Sequence, residues 1–489
     1  MRHQNHILVL SVSIMYLVGQ LTTGTSVYVA SLFSVAILFG LYSVWAAGGL
    51  FTAVGALNAI LIAKFLLIGI VLKIMMWDPA DKNLLAADST AAVMAIGFLG
   101  LWIGTSIQRH LPAPRDPFMP QFTDPRMYFA LTLVFLVLGY SGYAVGLSPD
   151  LAGEGIQTGG ALGIARVFGG LKSFAIVPAL FYAWARQSSR FMTHPLPLLV
   201  LSIGIVGGIF STAKLEAMEP LVFWLLVGSL RYGLRDKRIL IVGAMAALYY
   251  AAIVYPYSQY VRNHGGRQGS LSVRLSSMKD ALWLVVTDNG FRKTVLEKGE
   301  DINSSYLGNE TLRPFGRLAM VGQADRLVAA TIQQQSWTGW YTVKRGFELA
   351  IPSFIYADKP IYAAGNYLGH ITGEVGPLDG TTQVSYGVMA TFFSAFSYSG
   401  VFLGTIVFFG CFYYLLGLFF GNPHATVSPS ESTMWFVFIV ATFQHSLVEE
   451  TMAGLMTSWN VFVVVTAMCV MAKFVCPLLP KCAAAEDFD

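Results

Sequence analysis

Charge is what this sequence has least of. Only 12% of its 489 residues are Asp, Glu, Lys or Arg, about half of the ~25% usual in a soluble domain. Water-facing surface needs polar side chains. With 55% hydrophobic residues and a mean hydropathy of +0.60, the deficit excludes a large soluble globule and predicts an integral membrane protein. A net charge of +4 is too small to argue for a nucleic-acid partner. Cysteine is scarce too: the four present (Cys411, Cys469, Cys476, Cys482) lie in the C-terminal fifth, so no disulfide staples the middle of the chain. Also missing are a Gly-rich phosphate loop, an HExxH or clustered Cys/His pattern and a GxSxG elbow. Nucleotide chemistry, a bound metal and a serine hydrolase therefore all lack support. No internal repeat is present, whereas a transporter built from matched halves would show one.

What is there is a series of apolar runs. A span needs about 20 mostly apolar residues. Suitable runs are Ile7–Leu21, Val27–Ala46, Leu50–Met76, Ala91–Ile107, Met127–Val145, Ala161–Ala185, Pro195–Ser211, Leu215–Leu230, Ile239–Tyr255, Gly400–Phe420, Met434–Leu447 and Leu455–Phe474. The fold class expected is thus an all-α polytopic membrane protein of about 12 transmembrane helices. The eighth run is short and carries Glu216 and Glu219, which makes it the weakest. Ile7–Leu21 imitates a signal peptide, but with more spans close behind it an uncleaved first helix is the expectation.

Short loops that collect Lys and Arg face the cytoplasm. With the N-terminus inside, the inner loops hold Arg109, Arg115 and Arg126, then Arg186 and Arg190, then Arg231, Arg235, Lys237 and Arg238. The outer loops hold Asp78, Asp81 and Asp88, then Asp150 and Glu154, and later Glu449 and Glu450. This alternation predicts cytoplasmic termini, a membrane domain over 1–256 of about nine helices, a large external segment over 257–399, about three more helices over 400–475, and a cytoplasmic tail over 476–489. The apolar stretch 384–397 is too short to cross alone. It is expected to be an interfacial or re-entrant helix, bending at Ser399-Gly400 into the next span.

The external segment is the one long polar stretch of the chain, and basic and aromatic residues interleave along it. Leu312 to Gln334 has apolar residues near helical spacing. On such a helix Arg313 and Arg317, four apart, share a face, and Asp325-Arg326 follows on the same helix; guanidinium forks suit phosphate oxygens. Each arginine taken singly reads equally as a solvated face or a salt bridge. Below the segment lie cations inside spans, where each costs at least ~2.5–3.5 kcal/mol by insertion scales. Lys73, Arg166, Lys172 and Lys214 fall in the outer half of the membrane. Snorkelling to headgroups accounts for boundary positions such as Lys73 and Lys214. Arg166 and Lys172 sit amid glycines that allow close helix approach, which points them at protein. A basic outer pocket with an anionic guest is the expectation. External candidates for general base are Asp325, His370, Glu374, Asp379, His445 and Glu449. His370 and Glu374 are four apart, as are His445 and Glu449, but two ligands are too few for a metal site.

The runs TGWYTVKRGFELAIPSFIYADKP (338–360), GNYLGHITGEVG (365–376) and SYGVMATFFSAFSYSGVFLG (385–404) resemble bacterial Wzy-type polysaccharide repeat-unit polymerases. RLAMVGQADRL (317–327) is similar to the arginine-bearing helix upstream in that family. The resemblance covers about residues 305–410 and the layout of many spans with one large late external loop. Ser353 stands where many members carry arginine, so another residue has to serve for it. The resemblance implies a GT-C-like architecture in the bacterial inner membrane, with the large loop periplasmic. It implies transfer of a growing glycan from undecaprenyl diphosphate to another lipid-linked repeat unit, without metal, nucleotide or other cofactor. Partners would be the lipid-linked donor and acceptor, the bilayer and a chain-length regulator protein. In such an enzyme Arg166, Lys172, Arg313, Arg317, Arg326, Lys344, Arg345 and Lys359 would hold the diphosphate and stabilise charge on the leaving group. Asp325, His370 or Glu374 would take the acceptor's proton, and Trp337, Trp340 and Tyr341 would stack on sugars. Two alternatives stand beside it. An O-antigen ligase-like transferase shares the layout, but ligases carry a loop histidine followed by Asn, Ser or Gln, and here His264 precedes Gly265 and His370 precedes Ile371. A lipid-linked oligosaccharide flippase would use the same pocket for binding alone.

Overall fold

The computed structural model describes residues 2–112, 118–119, 124–146, 168–186, 191–211, 214–233, 235–263, 271–297, 306–308, 316, 318–351, 356, 364–379, 384–426, 433–449 and 459–479. Among the described residues every regular element is helical. The first four helices are α1 (Arg2–Thr22), α2 (Val27–Ala46), α3 (Ala53–Met75) and α4 (Ala87–His110). Then follow α5 (Pro125–Gly146), α6 (Lys172–Ala185), α7 (Pro195–Ser211), α8 (Lys214–Tyr232) and α9 (Lys237–Val261). Six helices are long and apolar enough to cross a membrane: α2, α3, α4, the Pro125–Ala144 part of α5, α9 and Val388–Phe420. Shorter apolar helices include His6–Thr22, Lys172–Ala185 and Pro195–Phe210. The chain is an all-helical membrane protein.

Polar segments join the spans through α10 (Leu271–Thr287), α11 (Asn289–Glu297), α12 (Val321–Gln334), α13 (Tyr341–Ala350) and α14 (Ala364–Thr372). The C-terminal helices are α15 (Val388–Phe420), α16 (Thr433–Glu449) and α17 (Asn460–Val475). One apolar core runs through α2–α6, α12 and α15–α17, and a small satellite of Tyr257, Val261, Met278, Ala281 and Val285 joins the end of α9 to α10.

At the centre, α4 packs against α2 on one side and α15 on the other. Small residues make the second contact close: a Cβ on Gly100 would stand 1.9 Å from Thr405 Oγ1 and 3.0 Å from Phe402 O. That is backbone-to-backbone approach of the kind small residues permit between membrane helices.

The described loops sort onto two faces. On one, Ser26 N donates to Asp81 (2.9 Å), Ala80 N to Thr25 Oγ1 (2.8 Å) and Tyr306 Oη to Ala80 O (2.8 Å). On the other, Arg109 donates to Ala46 O (2.7 Å), Val54 N to Pro423 O (3.4 Å) and Met119 N to Phe419 O (2.8 Å).

Among the described residues of the polar segment, the start of α12 is set into the bundle. In α3 a π turn at Ala63–Leu67 departs from the regular ladder, and Lys64 O accepts from Met320 N at 3.0 Å. Lys64 lies eleven residues (75 − 64) from the end of α3, about 16 Å along its axis. Since Met320 immediately precedes α12, that helix starts roughly halfway down a span and climbs out.

α15 is not one straight helix. Its backbone leaves helical geometry at Phe396 and Ser397, where Ser397 has φ 58° and ψ −156°. Phe392 and Phe408 are sixteen residues apart (408 − 392), about 24 Å in a straight helix, yet their ring centroids lie 5.8 Å apart. A Cβ on Gly404 would be 2.6 Å from the Phe392 ring. The chain therefore doubles back, with residues 388–395 folded against the helix over 398–420. Every residue of the first arm, Val388 to Ala395, is buried. The turn falls at Phe396–Ser397, two to three residues before the Ser399-Gly400 bend expected from sequence.

Candidate functional site

Asp325 fixes the site in place. It is 1% exposed, and its carboxylate accepts from Leu85 N, Ala86 N (3.0 Å) and Thr90 Oγ1 (2.7 Å) at the start of α4. Ala86, at the cap position, has no capping side chain of its own. Asp325 supplies the cap from another helix, where a carboxylate is favoured by the helix dipole. Burial pushes the Asp325 carboxyl above its ordinary value, against those hydrogen bonds, which pull it down.

The next residue, Arg326, is ion-paired with Glu374. Glu374 comes from the turn after α14. That helix ends at Thr372, Gly373 takes φ 74°, and Val375 N closes the turn on Gly369 O at 3.1 Å. Asn366 Nδ2 holds the far side of the loop through Asp379 O (2.9 Å). The second Glu374 oxygen accepts from Tyr386 Oη at 2.8 Å, and Tyr386 Oη lies 2.6 Å from Thr372 Oγ1. A phenol has one proton, which Tyr386 gives to Glu374; the Thr372 hydroxyl lies between Tyr386 Oη and Gly369 O, the latter at 3.1 Å. Burial pushes the Tyr386 hydroxyl up to about 12, which keeps it a donor. Tyr386 is two residues ahead of the buried arm of α15, so the chain runs from the ion-pair network directly into that arm.

Arg326, Glu374 and Thr372 line a cavity of about 320 Å³, together with Asn83, Gln333 and Gln334. Tyr306 and Gly322 form an apolar wall. A Cβ on Gly322 would stand 2.5 Å from Tyr306 Cβ. The lining is mixed in donors and acceptors, and its two charges are opposite in sign. Such a site can hold a hydroxylic ligand with a carboxylate beside it and exclude part of the solvent.

Of the sequence-predicted residues, Arg326 and Glu374 meet here, and Asp325 lies directly behind them with its oxygens occupied by α4. Arg166, Arg313, Arg317 and Lys359 lie outside the described residues. His370 is exposed in the last turn of α14; the helix ends before Glu374, so the spacing of four does not set the two on one helical face. Lys344 and Arg345 lie on α13 and both reach Glu348, at 4.0 and 2.5 Å. Trp337, Trp340 and Tyr341 do not line the cavity. Trp337 packs at 5.7 Å from Phe393 and Trp340 at 4.8 Å from Phe396, around the reversal, and Tyr341 sits 5.0 Å from Tyr367. Of the general-base candidates on α16, His445 and Glu449, the structure describes no side chain.

The intramembrane cations come with partners. Lys73, fully buried, pairs with Asp78 at 2.5 Å and lies 5.0 Å from the Tyr306 ring. Lys172 pairs with Glu216 and stands over Tyr143 at 4.2 Å, and Lys214 stands over Tyr255 at 3.9 Å. The expected floor of positive charge is thus largely neutralised where it is described. Glu216 and Glu219, which make α8 a poor span by sequence, are engaged by Lys172 and by Ser173 Oγ (2.5 Å). Among the described residues no three His, Cys, Asp or Glu side chains converge. Sequence reasoning missed Tyr386, Thr372, Asn83, Tyr306 and the two glutamines, none of which carries a charge to draw notice.

The helices and this polar network define a polytopic membrane protein with a cavity at one face of its bundle. No family model, no curated protein and no solved structure matches the chain.

Proposed function

We propose that this chain is a bacterial inner-membrane polymerase of the Wzy type, extending a glycan carried on undecaprenyl diphosphate. The observation that carries the proposal is the Arg326–Glu374 pair in a cavity where the polar segment enters the helical bundle. It supports the resemblance seen in 317–327, 365–376 and 385–404, because each of those three runs contributes to that network: Arg326, Glu374 and Tyr386. In this reading the large segment faces the periplasm and both termini the cytoplasm, as the loop charges suggest.

The reaction breaks the bond between the anomeric carbon and the phosphate oxygen, and the electron pair leaves with the lipid diphosphate. An acceptor hydroxyl forms the new bond to that carbon. Glu374 takes the hydroxyl proton, and Tyr386 orients the carboxylate through its second oxygen. Arg326 stands beside Glu374 as its counter-charge. The bond broken is already activated, so no nucleotide enters the scheme. Cations of the segment, Arg313, Arg317 and Lys359 among them, serve the departing diphosphate.

The test is the purified protein in proteoliposomes with a synthetic lipid-diphosphate repeat unit. A ladder of lengthening products supports polymerisation. A single transfer to a core acceptor would instead identify a ligase, and movement of unaltered substrate across the bilayer a flippase.

A further inference from the structure

We infer that the cavity beside Arg326 is the subsite of an uncharged sugar and not the seat of the diphosphate. Calling that sugar the acceptor rests on the polymerase proposal; its being an uncharged sugar does not. The cavity's guanidinium already faces Glu374 across an ion pair. A diphosphate placed there would compete with a carboxylate for that cation and lie against a like charge, a juxtaposition that disfavours binding. Behind Tyr306, Lys73 is held by Asp78 and lies against the Tyr306 ring.

The other polar groups are of a different kind. Gln333, Gln334 and Asn83 carry amides, each with donor and acceptor capacity, and Thr372 adds a hydroxyl. Together with the Arg–Glu pair they present both kinds of partner that a ring of hydroxyls requires. Tyr306 borders the space but is itself buried and packed on Gly322, so it closes the floor and the polar groups do the recognising. At about 320 Å³ the space is at the small end of ligand pockets, enough for one sugar ring and not for a chain. The aromatic residues picked out by sequence for sugar stacking lie elsewhere, around the reversal of α15.

Saturation-transfer NMR on the full-length protein in nanodiscs tests this without turnover. The probes are methyl glycosides of common hexoses and N-acetylhexosamines, with inorganic pyrophosphate as competitor. At least one glycoside should bind, pyrophosphate should leave its signal unchanged, and Gln333→Ala and Gln334→Ala should each weaken it about three- to tenfold, the worth of a lost hydrogen bond. Both glutamines are exposed, so neither change threatens the fold. The inference is overturned if no glycoside in the panel binds, if both glutamine variants bind as the wild type does, or if pyrophosphate displaces the sugar in a manner lost in Arg326→Ala. Sugar binding by a protein that yields no glycan ladder would defeat the polymerase proposal alone.

Discussion

Asp325 and Arg326 are neighbours with opposite duties. Asp325 turns into the bundle and ties α12 to α4, and Arg326 turns to the cavity and Glu374. The anchor has a pH signature. Because burial raises the Asp325 carboxyl, the stability this group contributes is full below the ordinary aspartate value, near pH 4, and drains as the pH climbs through its raised folded-state value. Asp325→Asn removes that titration and turns an amide toward three donors, a loss on the order of 1–3 kcal/mol. The variant's deficit in thermal unfolding midpoint should therefore be largest near pH 4 and shrink towards neutrality; a deficit constant with pH would contradict the anchor's assigned ionisation. The sequence makes Arg326 and Glu374 legible because a charge in an apolar chain stands out, even with 48 residues (374 − 326) between them. Tyr386 gives no such sign. Its role depends on a hydrogen bond to Glu374, which composition and spacing do not encode.

The element that shapes the site is the reversal in α15. Residues 388–395 are buried on all sides, so the run has no polar face from which periodicity could separate helix, strand or turn. Its shortness is what predicts that it does not cross alone. The place of the turn was hidden, because Ser397 occupies a conformation that usually selects glycine. Such strain costs of order 1–3 kcal/mol and persists only where surrounding structure enforces it. Here Phe392 against Gly404 and Phe408, and Trp340 against Phe396, supply the enforcement. Ser397→Gly should raise the unfolding midpoint by relieving about 1 kcal/mol net of the added chain entropy. Gly404→Leu should lower it, since the new side chain meets the Phe392 ring. If Ser397→Gly were strongly destabilising, the left-handed turn would be misplaced. The same logic covers α12: its helical pattern is visible from sequence, whereas its start beside Lys64, deep along α3, depends on a π turn with no sequence mark.

At the scale of the molecule, one bundle carries the polar network at a single face, where the described parts of the polar segment meet the starts of α4 and α15. The low charge content already dictates a helical membrane protein, and each of the twelve apolar runs overlaps a helix, although six helices meet the length and hydropathy needed to cross. Lys73 and Lys172 show why charge counting overstated a basic pocket: each stands beside a carboxylate, Asp78 and Glu216, brought to it by the fold. On the proposed function, Glu374 deprotonates an acceptor hydroxyl in the cavity it shares with Arg326. The most direct measurement is the rate of chain growth by Glu374→Gln in proteoliposomes supplied with synthetic lipid-diphosphate repeat unit. Loss of a general base predicts a fall of about 10²–10⁴-fold in a variant that still inserts and unfolds cooperatively. Chain growth by Glu374→Gln at the wild-type rate would contradict the claim.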